Sequence, residues 1–159
     1  MENKLIIKTA KDVLKTELTG VQKISKILNN NFSSIINKLS NVKGRIIFTG
    51  IGKSGHIAKK ISSTMSSTGT PSQFCHSTEM SHGDLGIISK NDIVIILSNS
   101  GNSIELKSVI DFCKKYKIFS IGISSAKKSN LIKSVNMSLI VPSADEACAI
   151  GLAPTTSTT

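Results

Sequence analysis

Short apolar runs separated by helix-like stretches constrain this chain more than any other feature. Ile46 to Phe48, Ile93 to Leu97, Phe119 to Ile123 and Leu139 to Val141 each have the length of one strand, and Gln73 to Cys75 is a weaker candidate after Pro71. A continuous apolar run, unlike an alternating one, marks a strand buried on both faces. Strands alternating with helices predict an α/β three-layer sandwich, a parallel sheet with helices on either side. In such sheets ligands bind beyond the carboxyl ends of the strands, so the loops after each strand are where chemistry is expected.

Ahead of the first run, apolar residues at Ile6, Ile7, Ala10, Val13, Leu14, Leu18, Val21, Ile24, Ile27 and Leu28 recur at spacings of three and four. They predict an amphipathic helix that Asn29, Asn30 and Asn31 end. A second helix carries Phe32, Ile35, Ile36 and Leu39, and residues 41–44 read as a turn. An N-terminal helix pair therefore precedes the sheet.

The 159 residues, 39% apolar and 19% charged, suit one domain with a buried core. The longest uncharged stretch, Ile61 to Thr78, is broken by Ser, Thr, Gly and Pro, so no membrane span is expected. Charges scattered through Met1 to Leu18 leave no signal-peptide core, and a cytoplasmic protein is expected. Cys75, Cys113 and Cys148 show no paired spacing and read as buried free thiols.

The net charge of +10 raises the question of nucleic acid. Nineteen of the twenty basic residues are Lys, with Arg45 the exception, and base-edge readout leans on the fork of Arg. Five Phe, one Tyr and no Trp leave few platforms for stacking bases. The reading is a solvated basic surface that favours anionic ligands, with neither nucleic acid nor membrane as partner.

The first strand runs into Gly50-Ile51-Gly52-Lys53-Ser54-Gly55-His56, where glycines admit close approach and a helix N-terminus offers amide donors to an anion. Both nucleotide patterns fail: no carboxylate precedes Glu79 at the expected second-strand end, and Ile47 stands where the Walker pattern needs glycine. A smaller phosphate site fits better, beside the plainer reading of a glycine turn. After the third strand, Ser98, Ser100, Gly101 and Ser103 form a neutral cradle of donors ahead of a helix bearing Glu105, with Ser103 alternatively an N-cap. Between these loops, His76 and His82 with Glu79 and Asp84 offer metal ligands or acid/base groups. Glu146, after the last strand, reads as a surface acid or a general base.

With G-I-G-K-S-G-H, S-T-G-T-P-S, H-G-D-L-G, S-N-S-G and E-A-C-A-I-G-L-A-P-T-T-S-T-T in place, the chain resembles the sugar isomerase (SIS) domain family, and within it the arabinose 5-phosphate isomerases. The resemblance implies a five-stranded, flavodoxin-like parallel sheet flanked by helices, filling residues 1–159 as a single SIS domain. It implies interconversion of D-ribulose 5-phosphate and D-arabinose 5-phosphate through an enediol, for lipopolysaccharide or capsule synthesis, by a homodimer or homotetramer. By position it places substrate against Ser54, Gly69, Thr70, His82, Ser98, Ser100 and Ser103. Lys53, Glu105 and Glu146 become the catalytic residues, with either Glu as the proton shuttle, and His76 a possible zinc ligand; no cofactor is required.

Asn102 stands where relatives commonly have Glu. The family pattern runs on into a last core helix and a catalytic His, often followed by CBS modules, whereas this sequence stops at Thr159. The expectation is a domain ending before that helix, without CBS modules, which counts against full activity. The alternative class is a noncatalytic phosphosugar sensor, which needs the serine cradle but not Lys53, His82, Glu105 and Glu146.

Overall fold

The computed structural model describes residues 2–159. Helix α1 (Glu2–Ile24) and helix α2 (Asn30–Ser40) lead into strand β1 (Ile46–Gly50). Helix α3 (Gly52–Ser67), strand β2 (Ser72–His76) and the short helix α4 (Ser77–Ser81) follow. Strand β3 (Ile93–Leu97), helix α5 (Lys107–Tyr116), strand β4 (Phe119–Ser124), helix α6 (Asn130–Ser134) and strand β5 (Met137–Ile140) complete the regular elements. All five strands pair in parallel in the order β2-β1-β3-β4-β5. This is the flavodoxin-like order, and its switch point lies between β1 and β3.

The apolar runs form strands because alternate residues serve opposite faces. Ile47, Val94 and Ile96 pack with Val109, Cys113 and Leu131 on one side. Ile46, Phe48, Ile93, Ile95 and Leu97 pack with Ile35 and Ala58 on the other. Complete burial of an Ile contributes about 1.5–3 kcal/mol, so β1 and β3, buried along their whole length, anchor the sheet.

The structure differs from expectation in three places. Asn29 starts the second helix: its Oδ1 accepts from Asn31 N–H at 2.9 Å and Phe32 N–H at 3.3 Å, the geometry of an N-cap. Asn30 and Asn31 thus open α2, and Asn31 Nδ2 donates to Ser138 O at 2.9 Å, tying α2 to β5. Strand β5 begins at Met137, not Leu139, because parallel pairing to Ile121 fixes its start. The third difference lies in α1, whose apolar stripe meets little of its own chain: Leu14 and Leu18 are each 61% exposed, and Gly20 is its buried residue.

Cys75 and Cys113 are buried free thiols, with burial pushing their pKa values up to about 11 and about 12. Cys148 departs from expectation. It is only half-buried, and amide donors, Ala153 first, hold its pKa below the ordinary thiol value. Among the described residues no helix is long and apolar enough to cross a membrane.

The amino edge of the sheet is held by the one arginine. Arg45 N–H donates to Asp92 Oδ1 at 2.7 Å, while Ser89 N–H and hydroxyl donate to Oδ2 at 2.8 and 3.0 Å. The guanidinium lies 3.6 Å from Oδ2 and donates to Gln73 Oε1 and Ile87 O. Burial raises the Asp92 pKa, but the Arg45 and Ser89 hydrogen bonds outweigh it, and the net direction is down. The stability this supplies is present above the unfolded carboxylate pKa and is lost as pH falls through the lowered folded value. Replacing Asp92→Asn should cost about 1–3 kcal/mol in denaturant unfolding at neutral pH, with a flatter acid-side decline in stability than the wild type.

Candidate functional site

At the carboxyl edge of the sheet the turns leaving the strands enclose a cavity of about 210 Å³. Ser54 on the first turn of α3, Ser98 and Asn99 after β3, and Ser124 at the end of β4 all line it. Glu146 and residues 156–159 close it from the chain's last segment, and Gly20, Val21 and Ile24 of α1 form another wall. The site is built from one edge of the sheet, as the strand order requires.

The α3 end of the cavity has the features of an anion site. Ile51, the residue before α3, provides no capping side chain, so the first amide donors of a 16-residue helix are left to other partners. Gly50 and Gly55 serve packing: a Cβ at Gly50 would lie 2.9 Å from Leu97 O, and one at Gly55 2.9 Å from Gly50 O. The glycines bring α3 against the strand, and the ligand-facing groups of this turn are its amides and Ser54.

The β3 turn is braced from behind. Ser98 Oγ accepts from Gly101 N–H at 3.0 Å, which leaves its own hydrogen available to a ligand. Gly101 has φ +62°, and a Cβ there would collide with the Ser129 side chain. Ser124 Oγ donates to Asn99 O at 2.9 Å, and the Ser125 hydroxyl bonds Asn99 Oδ1 at 2.6 Å. Asn102 Oδ1 accepts from Asn130 N–H at 2.9 Å, so this residue fastens the loop to the start of α6. Ser103 precedes a 3-10 turn, Ile104–Leu106, without capping it through its side chain.

Glu146 is fixed by the chain that follows it. Its Oε2 accepts from Thr155 N–H at 2.6 Å, the Thr155 hydroxyl at 3.1 Å and Ser157 N–H at 3.3 Å. Burial pushes its pKa up, but hydrogen bonds from Ser157 and Thr155 prevail and lower it from the ordinary carboxylate value. Burial alone would raise a carboxylate pKa toward neutrality; donors satisfying the ionised form reverse the direction here.

Several expected site residues do not converge here. Glu105 is exposed and lines a separate shallow cleft with Ser81 and Ile104. Lys53 and Ser100 are exposed neighbours of the cavity-lining Ser54 and Asn99, and His82 is exposed at the end of α4. Gly69 and Thr70 end α3: Gly69 N–H bonds Ser66 O at 3.2 Å and Thr70 N–H bonds Met65 O at 2.9 Å, a helix-stop arrangement with φ +91° at Gly69. They precede β2, on the opposite edge of the sheet, roughly 15 Å along the strand direction from the turns around Ser54. A single chain does not bring them to that cavity.

Zinc at His76 does not fit the donors this chain supplies. His76 Nδ1 accepts from Thr78 N–H at 3.3 Å as the cap of α4. Among the described residues no three His, Cys, Asp or Glu side chains come together.

Three cavity residues escape a reading of motifs. Ser124 and Ser125 sit at the carboxyl end of β4, where the rule that finds Ser98 also applies. Gly20 is a lone glycine inside an apolar helical pattern, itself a signal of close approach.

The family model for the SIS domain matches residues 38–159. Arabinose 5-phosphate isomerase KdsD of Yersinia pestis is 44% identical over 149 residues, covering 94% of this chain and 45% of that protein. The KdsD protein of Escherichia coli K12 is 41% identical over the same shares. The chain therefore spans about 45% of the length of these curated relatives. Among solved structures, an E. coli CFT073 protein in complex with arabinose 5-phosphate superposes with a TM-score of 0.94 at 38% identity, covering 99% of this chain and 84% of that one.

The wall that α1 contributes packs most tightly at Gly20. A Cβ on Gly20 would fall well inside the contact distance of Thr156 Cγ2 and 3.4 Å from Ala144 Cβ. Gly20→Ala should lower stability by about 1–3 kcal/mol through overpacking. Thr156→Ser, which removes Cγ2, should recover part of that loss when the two are combined, as read by thermal unfolding.

Proposed function

The chain belongs to the SIS-domain family, and from that premise we propose that it is an aldose–ketose isomerase interconverting D-ribulose 5-phosphate and D-arabinose 5-phosphate. The observation that carries the reading is that Ser54, Ser98 and Glu146 share one cavity at the carboxyl edge of the sheet. That pairs a neutral anion cradle with a carboxylate, the two parts an enediol reaction on a phosphorylated sugar requires. The named activity of the KdsD relatives supports it.

In this proposal the phosphate docks on the α3 amide donors with the Ser54 and Ser98 hydroxyls, where the helix dipole favours its charge. Glu146 takes the proton from the carbon beside the carbonyl and returns it to the neighbouring carbon, giving the other isomer. Its lowered pKa keeps it ionised at neutral pH, so it is ready to accept. Lys53, exposed beside Ser54 and outside the cavity lining, adds positive charge that favours approach of the dianionic substrate. Glu105 opens on another cleft and has no direct part in proton transfer from this chain; no metal step is invoked.

The exposed apolar stripe of α1 supports a further reading, a homodimer or homotetramer built on that helix. Burying Leu14 and Leu18 between copies would remove apolar area from water that one chain leaves exposed. Leu14→Glu combined with Leu18→Glu should shift sedimentation velocity toward the monomer.

Incubated with ribulose 5-phosphate, the protein should form arabinose 5-phosphate, detected by chromatography. Glu146→Gln should lower kcat by about 10²–10⁴-fold, and Ser54→Ala with Ser98→Ala should raise KM about tenfold or more. Because the base must be ionised, activity falls as pH drops through the Glu146 pKa. Its acidic limb should lie below the ordinary carboxylate range. Phosphosugar binding without turnover would instead identify a sensor module.

A further inference from the structure

At the amino edge of the sheet, opposite the phosphosugar cavity, lies a second hollow of about 210 Å³ whose lining includes Lys38, Lys43, Lys90, Asp92 and Phe119. These residues come from α2, the turns before β1 and β3, and the start of β4, and none comes from the chain's last segment. The lysines have no acidic partner: among the described residues the ion pairs are Arg45 with Asp92 and Lys107 with Asp111. Asp92 is already occupied, its Oδ1 by Arg45 N–H and its Oδ2 by the Ser89 N–H and hydroxyl.

The backbone brings the lysines together. Gly44 N–H donates to Asn91 O at 3.0 Å, and Ile93 N–H to Arg45 O at 3.0 Å. A Cβ at Gly44 would lie 2.7 Å from Asn91 O and collide with the Asp92 side chain, so a glycine is what lets the two turns approach this closely. Lys43 stands immediately before that glycine and Lys90 immediately before Asn91, which sets both on one rim. Lys38 is fixed by a different contact, its Nζ lying 4.5 Å from the centroid of the Phe119 ring, within cation–π range. Its place in the last turn of α2 also complements the negative end of that helix. Lys43 and Lys90 lie outside helices, so no helix dipole accounts for them. Three unpaired ammonium groups around one hollow raise the positive potential there and repel one another, a cost that a bound anion offsets.

We propose that this hollow binds a compact phosphate-bearing anion with two or more negative charges. Lys binds phosphate as a point charge, and several such charges suit an anion whose charge is spread over many oxygens. The volume matches that of the phosphosugar cavity, and the two share no residue, so this site stands independently of the isomerase reading.

NMR titration of the chain with inorganic diphosphate reads the two cavities separately. The amides of Lys43, Gly44, Lys90 and Asn91 should shift and saturate together on one binding curve. Lys43→Ala combined with Lys90→Ala should weaken that curve about tenfold, whereas Lys59→Ala combined with Lys60→Ala, which removes the same charge from exposed positions on α3, should stay within about twofold of wild type. Without ligand, the Lys43 and Lys90 double variant should unfold thermally at or above the wild-type midpoint, because like charges no longer repel. Opposite signs on binding and stability are what a purely structural role would not produce. Equal weakening in both double variants would overturn the proposal, since net charge and not the hollow would then govern binding. So would shifts that rise without saturating, or saturation confined to the turns around Ser54 and Ser98; the last of these results would leave the phosphosugar site standing.

Discussion

Burial of β1 and β3 on both faces is the constraint from which the architecture follows. Ile46, Phe48, Ile93 and Ile95 need one layer of helices, and Ile47, Val94 and Ile96 need another. Helical crossovers on both faces join strands that all pair in parallel here. Parallel crossovers send every strand-to-helix turn to one edge, where Ser54, Ser98, Ser124 and Glu146 meet. The amino edge receives the opposite chemistry: the single arginine is spent on Asp92, Gln73 and Ile87, in a clamp that faces no cavity of the site.

Hydrogen bonding then sets what each group at the carboxyl edge can do. Gly101 N–H uses one acceptor position of Ser98 and spares its donor. Asn102 and the serines after β4 hold the loop from behind. Three donors converge on Oε2 of Glu146, so it is a stably ionised carboxylate.

How far the residues alone reach depends on the range of the interaction. The runs at 46–48, 93–97 and 119–123 were legible as strands, and the turns after them as the place of the site, because burial on two faces writes a continuous local pattern. The motifs place Ser54 and Ser98 in those turns and Glu146 after the last strand, and all three line one cavity. The direction of the Glu146 pKa was not legible: its donors lie nine and eleven residues onward, and only folding the tail back brings them to the carboxylate. Resemblance placed Gly69 and Thr70 with the substrate, yet their backbone geometry is a helix stop at the far edge.

By itself, then, the sequence determined the layers, the parallel sheet and which edge carries chemistry, since apolar periodicity and turn composition are properties of neighbouring residues. Tertiary structure alone decided that Glu105 and Glu146 open on different cavities. It also decided that Asn29 begins a helix and that Gly20 meets Thr156 across more than 130 positions of chain. Those outcomes depend on distances and donors between segments remote in sequence, and such pairings leave no periodic trace in a single chain.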